Sequence, residues 1–166
     1  MGMNSALVTL LVIEALLFAL TMGLAGTKRH PVPGEYVGTA FHLLLLPAVA
    51  ALPAVPSGQA AGFLWVACDV VASTGLIWSS RSQAGPLEAT YTPIRMAGHL
   101  FAAIWIALVS VHLNAFGAFT GFALAFGFAA YTLAAGRIPE KALAAPGLLM
   151  FAWLLLLAFH VHRLAS

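Results

Sequence analysis

Charge is scarce in this chain. Seven Lys and Arg plus five Asp and Glu make up 7% of 166 residues, where a soluble domain carries roughly one quarter. So few charged side chains cannot cover a water-facing surface, which excludes an ordinary soluble fold. Cysteine is nearly absent too. Cys68 stands alone, so no intrachain disulfide can form, and inside an apolar stretch it reads as a small packing residue. Basic residues are not gathered into a patch, which removes nucleic acid as a partner. No glycine-rich nucleotide motif, no HExxH and no aspartate-rich pair occurs, and Ser73, Ser79, Ser80 and Ser82 form no recognisable base-and-carboxylate set.

Apolar length is what the chain has: 62% of its residues are hydrophobic. They fall into six blocks, at about 5–25, 36–52, 60–79, 95–113, 118–135 and 146–162. At 1.5 Å per residue each is roughly 25–32 Å long, the thickness of a bilayer's hydrocarbon core. Backbone groups in lipid must be paired internally, leaving helices or a closed barrel. The leucine runs 43–46 and 154–157 do not alternate as barrel strands would. The expected fold is all-α: one polytopic domain over 1–166, with six transmembrane helices and the bilayer as its first partner.

The segment before the first block holds no basic residue, and Lys28 and Arg29 follow it; the block therefore reads as a retained span rather than a cleaved signal. Gly2 lacks the hydroxyl residue at position six that myristoylation requires, since Ala6 stands there. Lys28, Arg29, Arg81, Arg95, Arg137 and Lys141 fall on one membrane face and only Arg163 on the other. The positive-inside rule makes the first face cytoplasmic and both termini extracytoplasmic, in a bacterial inner membrane. The inner connection from Ser80 contains Gly85-Pro86 and Thr92-Pro93, which read as turns. Its Arg81, Glu88, Tyr91 and Arg95 read either as contacts for a phosphate, lipid head group or protein partner, or as residues that end spans three and four at the interface.

Functional candidates are the residues that lipid makes costly. Glu14 and Asp69 lie mid-span and are candidate proton or ion contacts; each is expected to carry a proton, to bond across helices or to face a polar cavity. Their separation is not readable from sequence. His42 and His99 lie just inside the cytoplasmic face, with His112, His160 and His162 near the outer one. His42 with His99, and His112 with His160, are candidate axial pairs for haem b or contacts for a quinone. The thirteen residues from His99 to His112 give an angular offset of roughly 140°, so one haem is easier to place than two. His30, beside Pro31 and Pro33, reads as a loop residue. The ending His160-Val161-His162-Arg163 lacks the partners of a convincing metal site.

Gly117, Gly121, Ala125 and Ala129 recur every four residues and form a candidate helix-packing strip, with Phe119, Phe122 and Phe126 turned away from it. Trp105 lies deep and calls for a polar partner, a ligand or tight packing. With little chain outside the bilayer, the expectation is a small subunit of a larger membrane complex, assembled with other subunits or with copies of itself and binding haem or quinone. A small ion-coupled transporter and a lipid-modifying enzyme are the alternatives.

Overall fold

The computed structural model describes residues 3–25, 31–52, 55–82, 88–134 and 144–165. They form six helices: α1 (Met3–Ala25), α2 (Pro31–Ala51), α3 (Pro56–Ser82), α4 (Glu88–Ser110), α5 (Ala115–Ala134) and α6 (Ala144–Ala165). Each is long and apolar enough to cross a membrane. Every helix packs on its neighbours in sequence and α6 returns to α1, so the bundle is a closed ring. Lys28, Arg29, His30, Arg137, Lys141 and the Gly85-Pro86 step lie outside the described residues.

The helices outrun the apolar blocks, and proline explains where. Proline has no N–H to lose in a first turn and its fixed φ suits a helix start. Pro31 and Pro56 are accordingly the first residues of α2 and α3, and Pro146 lies in the first turn of α6. Pro31 and Pro33 thus open a helix rather than lying in a loop. Thr92-Pro93 is not a turn either: α4 begins at Glu88 and carries Pro93 inside it. Pro47 stands within α2, where its missing N–H leaves the Leu43 carbonyl without a helical donor. Between α4 and α5 the Asn114 side chain accepts from the Gly117 N–H at 2.9 Å, capping a donor that α5 cannot satisfy itself.

The half of the bundle farthest from the 26–30, 83–87 and 135–143 connections is packed solid. Leu11, Leu45, Val49, Ile106, Val109, Leu124 and Leu157 are buried there. Among them runs a seam of rings: Trp65 meets Trp105 with centroids 5.7 Å apart, and Trp105 meets Trp153 at 5.7 Å and 80°. Gly62 makes the seam possible, because a Cβ there would come within 2.8 Å of Trp105 and 2.7 Å of Val49. The Trp153 indole N–H donates to Ser110 Oγ at 2.9 Å. Ser110 in turn donates to the Ile106 carbonyl at 2.6 Å. Gly121 of α5 lies against this bonded pair, and a Cβ there would collide with both partners. Gly117 and Ala125 of the same strip are buried, while Phe119 and Phe126 are 71% and 75% exposed toward lipid.

Gly121→Leu must drive α5 away from Ser110 and Trp153. Overpacking of this kind costs about 1–3 kcal/mol, so the variant should unfold at lower temperature in detergent micelles than the parent. Phe126→Leu, on the lipid face, should leave the transition in place.

Candidate functional site

The other half of the bundle is hollow. A cavity of about 440 Å³ lies between all six helices, at the end nearer the 26–30, 83–87 and 135–143 connections. Helical periodicity builds its wall, since residues three, four or seven apart share a face. Phe18, Thr21 and Met22 come from α1; Glu35, Gly38 and His42 from α2; Asp69 and Ser73 from α3; Arg95 and His99 from α4. Phe128 and Tyr131 of α5 and Pro146 and Gly147 of α6 complete it.

Arg95 holds the polar side together. Its guanidinium grips Glu35 with both terminal nitrogens, at 3.1 Å to Oε1 and 2.5 Å to Oε2. It donates to Ser73 Oγ at 3.0 Å, and its Nε stands 3.8 Å from Asp69 Oδ1. One side chain of α4 thereby joins α2 and α3. Such a planar fork suits two-point carboxylate binding, and the low surrounding dielectric strengthens the attraction. Gly98 gives Asp69 its place, since a Cβ there would lie 2.9 Å from Oδ2. Arg81 also turns to α2, its guanidinium 5.6 Å from the centre of the Tyr36 ring. The reading of Arg95 as a residue that ends a span at the interface is therefore corrected: α4 starts about two turns before it, and its charge is spent inside the bundle.

Beyond the arginine lies an arrangement short of donors. His42 Nδ1 is 2.7 Å from the Gly38 carbonyl. A carbonyl only accepts, so Nδ1 carries the proton and, in the neutral ring, Nε2 presents a lone pair. That lone pair faces Asp69 Oδ2 across 3.5 Å, and Oδ2 has no hydrogen-bond partner. His99 Nδ1 is buried and unpartnered as well. With Asp69 ionised and His42 neutral, two acceptors oppose one another here, beside a third ring nitrogen with no partner. Trp65 lies beside Asp69 and packs edge-on against the His42 ring at 5.6 Å. The His99 ring sits 5.2 Å from Phe128 and 5.8 Å from Tyr131.

Of the residues singled out from sequence, His42, His99 and Asp69 meet in this cavity. Glu14 does not line it. It is fully buried on α1 and neither carboxylate oxygen has a hydrogen-bond partner. His112 is exposed in the turn after α4, and His160 is half-buried on α6; neither lines the cavity. Among the described residues no group of three or more His, Cys, Asp or Glu is placed to hold a metal. The Trp105 indole N–H is buried without a partner, so packing alone holds that ring. Glu35 was missed because it lies one residue before the second apolar block. Its signal is the shared face with Gly38 and His42, just as Arg95 shares one with His99.

Arg95→Ala leaves Asp69 and Glu35 without their cation. Removing one partner of a fully buried pair costs about 3–5 kcal/mol; with the Arg95 and Glu35 side chains 26% and 21% exposed, equilibrium unfolding in mixed micelles should lose less than that. Adding Asp69→Asn to the same variant should recover part of the loss, because the uncompensated buried carboxylate is then gone. The chain matches no protein-family model, no curated protein and no solved structure, which leaves the chemistry of the cavity as the ground for its function.

Proposed function

We propose that the protein is an integral subunit of a redox complex in a bacterial cytoplasmic membrane, and that its cavity receives the ring of a quinol or quinone. The observation that carries this reading is that His42 Nε2 and Asp69 Oδ2 face one another at 3.5 Å and Oδ2 has no hydrogen-bond partner. A quinol hydroxyl on the cavity side of this pair can donate to either acceptor, and an aromatic ring suits walls made of Phe18, Met22, Phe128 and Pro146. A cavity of this size, mostly apolar with a few convergent polar groups, is the usual form of a small-molecule site. Oxidation of a quinol releases two electrons and two protons. The Asp69 carboxylate and the His42 imidazole would take the protons, and a one-electron metal centre on a neighbouring subunit would take the electrons in turn. A haem iron is less well served, since on His42 Nε2 it would have to stand clear of Asp69 Oδ2, 3.5 Å from that nitrogen.

Ion-coupled transport is the second reading. It is favoured by the contrast between the hollow half of the bundle, with Asp69, Arg95 and Glu35 in line, and the solid half beyond it. Its signature would be solute or proton flux into liposomes holding the purified chain, abolished by Asp69→Asn.

Titration of the detergent-purified protein with a short-chain benzoquinol should quench tryptophan emission saturably, because Trp65 adjoins both His42 and Asp69. His42→Ala and Asp69→Asn should each weaken the apparent affinity at least tenfold, whereas Glu14→Gln should not. Absence of saturable quenching in the parent protein would sink the ring-site reading. A Soret band lost on changing His42 or His99 would put haem in its place.

A further inference from the structure

A second hollow lies on the outside of the bundle, in the seam between α1 and α6. It is lined by Phe18, Ala19, Met22, Gly23, Gly147, Leu148 and Phe151, all apolar. Three of these, Phe18, Met22 and Gly147, also line the central cavity. The hollow and the cavity are thus the two sides of one thin wall. Its thinnest part is Gly147, which offers no side chain, and the Met22 side chain opposite, whose Cε would lie 2.9 Å from any Cβ placed on Gly147. A methionine end is flexible and has several rotamers of similar energy. The outer rim is lipid-facing: Leu148 is 72% exposed and Met22 37%. Both spans reach this level, since α1 is apolar through Gly23 and α6 from Ala145.

We infer that the α1–α6 seam is a lateral portal through which the ligand enters from the bilayer, its apolar tail remaining in the outer hollow once the ring is seated inside. The inference rests on the ring-site reading and adds the chemical class of the ligand: a quinone carrying an isoprenoid or alkyl tail. Volume supports the division. A cavity of about 440 Å³ accommodates a ring but not several further isoprene units, so a tail must leave it. The other direction is closed by the packed half of the bundle, and the polar side by the Arg95 cluster. Phe18 and Phe151 line the hollow about one turn deeper in the membrane than Met22 and Gly147, so a tail laid there runs toward the hydrocarbon core, where its solvent is.

The test compares a benzoquinone bearing a ten-carbon tail with the same ring lacking it, in the full chain and in Ala19→Trp, which fills the hollow from an exposed position. Quenching should show the tailed compound bound at least tenfold more tightly by the parent protein. Ala19→Trp should bring its affinity down to that of the bare ring and leave bare-ring binding unchanged. Gly147→Leu, which closes the wall, should slow the association of the tailed compound, and Phe126→Trp on the remote face of α5 should alter neither ligand. Tailed-compound binding that is insensitive to Ala19→Trp overturns the portal while leaving the ring site standing. Equal affinity of the parent for both compounds does the same. Failure of both compounds to bind removes the ring site, and the portal with it.

Discussion

A guanidinium held between two carboxylates inside a bilayer is the constraint on which the rest of this structure turns. Arg95 is the only residue that ties α2, α3 and α4 by charge among the described contacts, and lipid offers none of its groups an alternative partner. The attraction does not have to be large in net terms, since desolvating each ion costs most of what the pairing returns. Its effect is on geometry. Glu35, Asp69 and Ser73 can be satisfied together only when the three helices stand at one relative height, and that height also brings His42 opposite Asp69 and His99 beside them. The hollow half of the bundle is arranged around a fixed cation, and the solid half around fixed rings.

The two halves follow different rules. In the solid half, glycine and alanine permit approach, and tryptophan fills what remains: Gly62 admits Trp105, and Gly121 admits the Ser110–Trp153 pair. In the hollow half, side chains of similar size leave space because the polar groups hold one another at bonding distance instead of collapsing inward. A carboxylate oxygen facing an imidazole nitrogen across 3.5 Å with no partner of its own is served by a proton or by a donor from the cavity. That is the physical reason for assigning the function to this place rather than to Glu14, which is equally buried but sits in no comparable space.

The helical class and the six crossings were legible because lipid imposes a single rule on every block. Ends were less so. The apolar blocks register where hydrocarbon begins, whereas the helices continue to the prolines and polar residues that start and stop them, so α4 begins seven residues before the block that marks it. This difference hid the most consequential pair. Glu35 and Arg95 sit at the margins of their blocks, where a charged residue normally reaches for water. Only the extra turns of α2 and α4 carry them inward. His42, His99 and Asp69 were recognisable one by one as costly residues in lipid; that they converge depends on helix order around the ring, which periodicity within one helix does not encode. His112 and His160 belong to the far end, outside the cavity. The small-residue strip on α5 was readable because it is local to one helix, while its partners, Ser110 and Trp153, lie on two others.

Closure of the ring by its first and last helices has a consequence for biogenesis. Chain is inserted in order, so α1 must wait in the membrane with only α2 beside it until α6 has been synthesised. During that interval the face that will bear α6 is open to lipid and the chamber has no sixth wall. Assembly competence therefore arrives all at once, with the final crossing. A chain arrested before that point would leave open the face of α1 that α6 covers in the finished ring.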